Sequence, residues 1–183
     1  MQSYLITSRE FYTDTPAVFR SILHEQLQLH LPTYALYRDK SNPDYDTQAE
    51  HHVQVCSQFD NVKSFLHQKP DLAKALGATG VHLSSKQFDK IEYAKSLDLE
   101  VIVSTHTHEE VYIAQDLGAD AVVYGPIFTT PRKGQAKGLA DLKELVEQTN
   151  IKIFGLGGIV DRSSIKEIEK TNVYGFASIR YFY

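Results

Sequence analysis

The stretch "YGPIFTTPRKGQAKG", Tyr124 to Gly138, gathers residue types suited to handling an anion. It follows the apolar run "ADAVVYG" and then turns basic and glycine-rich. Arg132, Lys133 and Lys137 are cations, and the hydroxyls of Thr129 and Thr130 are neutral hydrogen-bond donors. Glycine and proline around such groups suit a loop that closes over an anionic ligand. A second glycine cluster, "GLGGI", Gly155 to Ile159, also ends an apolar run. There, at Gly157 and Gly158, backbone N–H groups can approach a phosphate with no side chain in the way. Proton transfer near neutral pH calls for histidine. His106 in "STHTH" is the first candidate, with His67 and His82 as alternatives. Each has a plainer reading: His106 at a helix start, His82 as a satisfied interior residue, His67 at the surface. His24, His30, His51 and His52 fall on expected helix surfaces. None of these spacings forms a metal motif, and Cys56 is the single cysteine, so neither a disulfide framework nor a thiolate metal site is expected.

Elements must position these groups. Eight short apolar runs read as strands: Tyr4–Thr7, Tyr34–Tyr37, Val62–Leu66, Gly80–Leu83, Glu100–Ser104, Ala121–Tyr124, Ile151–Phe154 and Gly175–Ile179. Between them lie helical patterns over Pro16–Leu29, Thr47–Phe59, Pro70–Leu76, Lys86–Leu97, Thr107–Leu117, Leu139–Gln148 and Ser163–Lys170. Thr107 and the "DRSS" phrase supply N-caps. "ALGATGVHL" and "DLGADAVVYG" repeat one phrase, a helix end, a glycine and then a strand, and "KTNVYGFASI" echoes it. Strands alternating with helices imply right-handed crossovers and a parallel sheet. The expected fold is α/β: one compact (β/α)8 TIM barrel over residues 1–183, its last helix missing or reduced to "RYFY". An open doubly wound sheet is the rival. The aromatic tail is expected to pack across the barrel edge or into a homodimer contact.

In such barrels the site lies at the C-terminal strand ends, with phosphate commonly after strands seven and eight. Gly157, Gly158, Ser178 and Arg180 occupy those places, and Arg38 and Lys40 follow strand two. The 183 residues are 42% hydrophobic and 23% charged, with a formal charge of -4, so any anion site must be local and no general affinity for nucleic acid is expected. No leader or membrane-length apolar stretch is apparent, and a cytoplasmic location is expected.

Together, "GPIFTTPRK", "VSTHTHEE", "PDLAKALGATGVHL" and "IFGLGGI" resemble the thiamine phosphate synthase and thiazole tautomerase (TenI-type) superfamily, from about Tyr4 to Ile179. The resemblance implies a (β/α)8 barrel acting in thiamine biosynthesis on small phosphorylated thiazole or pyrimidine ligands. It matches Arg38, Lys40, Ser104, Thr130, Lys133, Gly157 and Gly158 to family ligand positions. The synthase joins a pyrimidine pyrophosphate to a thiazole phosphate using Mg2+; the tautomerase aromatises a thiazole phosphate carboxylate without metal.

The departures point both ways. Where the synthase carries an Asn-Asp pair before "DLA", this chain has His67 and Gln68. Where it carries a second acid after "GVHL", this chain has Lys86 and Gln87. A flap threonine is replaced by Arg132, and a serine near the end of strand eight by Arg180. Magnesium prefers carboxylate oxygens, so these changes weaken a metal site and lead to the tautomerase as the first expectation, with no cofactor. The tautomerase, however, places a histidine where this chain has Pro126. Thiamine phosphate synthase and a non-catalytic thiazole phosphate binder remain the alternatives. On the first reading His106, Ser104 and Lys133 are the expected catalytic residues.

Overall fold

A computed structural model of the chain describes residues 1–131 and 133–183. Eight parallel strands close into a barrel in chain order: β1 Gln2–Ile6, β2 Tyr34–Tyr37, β3 Lys63–His67, β4 Gly80–Leu83, β5 Glu100–Thr105, β6 Ala121–Tyr124, β7 Lys152–Leu156 and β8 Gly175–Ser178. β1 pairs with β2 through Tyr4↔Tyr34 and with β8 through Tyr4↔Ala177, which rules out the open sheet. Around the barrel lie α1 Arg9–Tyr12, α2 Pro16–His30, α3 Tyr45–Cys56, α4 Pro70–Ala75, α5 Ile91–Ser96, α6 His108–Asp116, α7 Gly138–Gln148 and α8 Arg162–Glu169. No helix among the described residues is long and apolar enough to cross a membrane.

The repeated phrase seen in the sequence is one repeated turn. After α4, Gly77 takes φ +69° and Ala78 N–H donates to Ala73 at 2.9 Å. After α6, Gly118 takes φ +84° and Ala119 N–H donates to Ala114 at 3.0 Å. Asn172 (φ +59°), the residue most tolerant of this region after glycine, does the same after α8, as does Asp98 after α5. Each turn feeds directly into the next strand. The two expected caps also form. Thr107 Oγ1 accepts from Glu110 N–H, and Asp161 makes a reciprocal capping box with Ser164.

Strands buried on both faces leave two cores. Outward residues pack under the helices, while Tyr4, Tyr34, Phe65 and Phe154 fill the barrel interior. Their ring centroids lie 5.0–5.9 Å apart. Gly80 and Gly175 leave the room: a Cβ would stand 2.4 Å from Phe65 at the first and 2.7 Å from Phe154 at the second.

The last helix is indeed reduced, to one 3-10 turn over Arg180–Phe182. The tail crosses the outside of β8. Phe182 is buried, stacks on Phe176 at 5.8 Å, and its carbonyl accepts from Tyr12 Oη.

Several expectations are corrected. α1 is an additional short helix. α5 starts at Ile91 after a 3-10 turn, so Lys86 sits in the β4 loop rather than on a helix. β3 and β7 each run two residues or fewer beyond their expected ends. His52 is not on a helix surface. It is fully buried on α3 against the barrel, and its Nε2 bonds the Ala35 carbonyl at 3.1 Å.

Candidate active site

Strand pairing fixes where the polar residues go. Alternate residues face inward, so His67 lies two beyond Phe65, His82 two beyond Gly80 and Ser104 two beyond Ile102. One pleat above the aromatic floor the barrel therefore turns polar. The expectation that His67 lies at the surface is wrong: it is the last residue of β3 and is 7% exposed. Its ring lies 6.1 Å from that of His82, which is buried as expected for a satisfied interior residue.

These side chains form the base of a cavity of about 830 Å3 that opens at the C-terminal strand ends. That volume holds one or two small ligands. Arg38, Lys40, Ser104, His106, Thr130, Lys133, Gly157, Gly158, Ser178 and Arg180 all line it, as do His67 and His82. Arg132 lies outside the described residues. The structure thus brings every other expected site residue to one cavity. Two further cations line it that sequence reasoning did not select as site residues, Lys69 and Lys86. Position alone carried their signal: each stands three residues past the end of an expected strand.

The cavity is strongly positive in a chain of net negative charge. Arg38, Lys40, Lys86 and Lys133 come from the loops after β2, β4 and β6. They stand close enough to act on each other: Arg38, then burial, then Lys133 and Lys86 push the Lys40 ammonium below the usual lysine range. Asp39 is the one carboxylate among the described lining residues, and Arg9 Nε holds it at 2.8 Å.

The histidines in the base are neutral. Burial, then Arg38 and Lys40, lower His67 to about 4. Burial, then His67 and Arg38, hold His82 well below the usual histidine range. His82 Nδ1 lies 3.0 Å from Tyr4 Oη, and its Nε2 lies 2.8 Å from Ser104 Oγ. Burial keeps the Tyr4 phenol protonated, so it donates to Nδ1. The ring proton then sits on Nε2 and is donated to Ser104. That leaves the Ser104 O–H to point at whatever occupies the cavity. His106 is on the exposed rim, its Nδ1 3.3 Å from the Gly125 carbonyl.

After β7, Gly157 (φ +105°) and Gly158 (φ +70°) form a turn that only glycine enters without strain. A Cβ on Gly157 would lie 2.7 Å from Pro126, and one on Gly158 would lie 2.6 Å from Phe128. The glycines therefore serve packing against the β6 loop as well as access to the cavity. Phe128 N–H donates to the Gly157 carbonyl at 3.0 Å, and Ser178 Oγ donates to the Ile159 carbonyl at 2.7 Å. Ser178 thus ties the β7 turn to β8, while Thr130 Oγ1 donates to the Phe128 carbonyl.

The residues present do not fit magnesium. Gln87 Oε1 accepts from the Ser84 amide and hydroxyl, both at 3.1 Å, and its Nε2 faces the Gln68 carbonyl at 3.4 Å. The Gln87 side chain is therefore held by Ser84 and the backbone of Gln68, and Asp39 is committed to Arg9. Among the described residues no three His, Cys, Asp or Glu side chains converge as a metal group. A hard dication would find amide oxygens and ammonium groups here, not carboxylates.

A closed parallel barrel with a ligand-sized cavity at its C-terminal face defines a (β/α)8 protein with its site in the usual place. Residues 3–182 match the thiamine monophosphate synthase family. The thiamine-phosphate synthase of Clostridium tetani is 29% identical over 96% of this chain and 85% of its own. That of Pediococcus pentosaceus is 32% identical over 80% of this chain and 70% of its own. A solved structure, thiamine phosphate pyrophosphorylase from Pyrococcus furiosus, superposes with a TM-score of 0.84 at 28% identity, covering 97% of this chain and 85% of that one. The match to an Aquifex aeolicus relative, "Putative thiamine-phosphate synthase 2", is partial: 36% identical over 64% of this chain and 64% of its own length. The chain belongs to the thiamine monophosphate synthase family.

Proposed function

We propose that this chain joins a pyrimidine-methyl pyrophosphate to a thiazole phosphate, forming thiamine phosphate and releasing pyrophosphate. The observation that carries the reading is one cavity lined both by a cluster of cations and by a glycine turn, two groups suited to anions. Arg38, Lys40, Lys86 and Lys133 form one pole, and the Gly157–Gly158 turn with Arg180 forms the other. A reaction between two phosphorylated molecules needs both. The names of the relatives support transfer over isomerisation, as does Pro126, which stands where the tautomerase carries its histidine.

In this reading the cation pole takes the pyrophosphate and the glycine turn takes the thiazole phosphate. The C–O bond between the pyrimidine methylene and pyrophosphate breaks, and both electrons leave with pyrophosphate. The thiazole nitrogen lone pair forms the new C–N bond, giving a thiazolium with no proton to move. Charge builds on the leaving oxygens as the bond breaks, and preformed cations oppose that build-up most strongly. Ser104, oriented by His82, donates to the reacting pair. The balanced step needs no acid–base residue, so His106 has no part in it.

Isomerisation of a thiazole phosphate carboxylate is the second reading, and the poor fit to magnesium favours it. It requires a proton shuttle, and His106 on the rim is the candidate because His67 and His82 are buried and neutral. A paired assay separates the readings. One tube holds pyrimidine pyrophosphate and thiazole phosphate; the other holds the thiazole carboxylate tautomer. Thiamine phosphate in the first is the expected result. Aromatised thiazole in the second alone would transfer the assignment to the tautomerase, and silence in both, with ligand binding retained, to the binder.

A further inference from the structure

Positions 68 and 87 hold neutral amides rather than carboxylates, the second of them bonded to Ser84 and to the Gln68 backbone, and a lysine, Lys86, stands next to it at the cavity rim. We infer that the cavity binds a diphosphate by side-chain cations alone, with Arg38, Lys40, Lys86 and Lys133 in the role of a divalent metal. The inference rests on the proposed function for its ligand and goes beyond it in the means of binding.

Charge and geometry both carry it. A dication held by two carboxylates brings no net charge to its ligand, because the carboxylates cancel the metal. Two glutamines and one lysine bring a positive charge with no metal at all. The four cations come from three separate loops and converge at one end of the cavity, so a diphosphate there meets donors from more than one element. Asp39, the one described lining carboxylate, is neutralised by Arg9 and does not offset them. The depressed Lys40 ammonium reports the same crowding. Like charges held this close are relieved when an anion enters, so the ligand supplies what the empty cavity lacks. Magnesium would have the opposite effect, because the metal complex of a diphosphate carries less charge to meet the cluster.

Calorimetric titration with inorganic pyrophosphate tests this directly, once in EDTA and once with excess magnesium. Binding in EDTA is expected, with magnesium leaving the affinity unchanged or lower. Lys86→Gln and Arg38→Gln should each weaken it about tenfold or more. Thermal melts check that both variants fold; Lys86 is exposed in a loop, so its removal leaves the core intact. Pyrophosphate binding that appears only with magnesium would overturn the inference, as would full affinity in both variants. The synthase assay, run with and without EDTA, keeps the two readings apart. Thiamine phosphate formed only with magnesium sinks the metal-free site and spares the proposed reaction. Metal-free pyrophosphate binding without thiamine phosphate does the reverse.

Discussion

The floor and the mouth of the barrel lie one pleat apart on the same strands and follow opposite rules. In the floor, Tyr4, Tyr34, Phe65 and Phe154 meet edge to face or tilted, and glycines at 80 and 175 are shaped around them. Two residues further along, the inward positions hold His67, His82 and Ser104, with four mutually repelling cations above. The floor is arranged for its own stability. The mouth is arranged against it, since crowded cations oppose folding and its buried histidines resist the protonation that falling pH would bring. A region that spends stability in this way does so for a ligand.

The largest expected effect belongs to the floor. Phe154 touches Tyr4, Tyr34 and Tyr174 at 5.0–5.3 Å. Phe154→Ala should cost about 3–5 kcal/mol, because neighbouring rings held by a closed barrel cannot collapse into the gap. Urea unfolding at neutral pH measures it. A loss below about 1 kcal/mol would mean that the floor is not the rigid base that the comparison assumes.

Next comes pH. Burial lowers His52 from 6.5 to about 4, and His67 to about 4. Both take up protons more readily when unfolded. Their neutral forms therefore favour the fold fully above about pH 6.5, and that contribution is lost as pH falls toward 4. For His52 the shift corresponds to about 3 kcal/mol as an upper figure. Unfolding midpoints should drop steeply over that window, and His52→Gln should make the drop shallower by about one proton. An unchanged slope would show that His52 is not the buried neutral group described.

Much of this was legible in advance, for reasons that also explain the gaps. Parallel strands buried on both faces leave unbroken apolar runs, so all eight appeared, and the Gly77 and Gly118 turns repeat visibly. The cation loop and the glycine turn announced themselves by composition. What escaped were polar residues that continue a strand into a wet cavity. His67 reads as a loop residue because only strand pairing shows that it faces inward. His52 reads as surface because one histidine beside another on a weakly amphipathic helix does not reveal which of the two turns in. Lys86 looked like the first turn of a helix that in fact begins at Ile91. The choice between transfer and isomerisation hung on two glutamines, and side-chain identity alone does not show what holds an amide.

A smaller effect probes the polar layer between the two regions. Ser104 receives the His82 Nε2 proton at 2.8 Å, so Ser104→Ala leaves that donor without its partner and removes the hydroxyl facing the cavity. Under the proposed reaction the rate should fall about tenfold or more, with stability reduced by about 1–3 kcal/mol. Tyr4→Phe separates the two contributions. It keeps Ser104 but releases the His82 tautomer, so it should lower the rate less than Ser104→Ala does. Equal losses would mean that the relay acts as one unit.

The smallest effect has the opposite sign. Lys40 is exposed, and Arg38, Lys133 and Lys86 crowd it. Lys40→Gln removes one of four like charges and no packed atoms, so the ligand-free protein should gain at most a few tenths of a kcal/mol, screened as salt is added. The same variant should bind pyrophosphate more weakly. A core residue loses stability and function together, whereas a residue kept for its ligand trades one for the other. Differential melts of the wild type and Lys40→Gln, each with and without pyrophosphate, place the mouth in one class or the other. If Lys40→Gln is less stable than the wild type even without ligand, the cations are part of the scaffold, and the contrast between floor and mouth fails at its sharpest point.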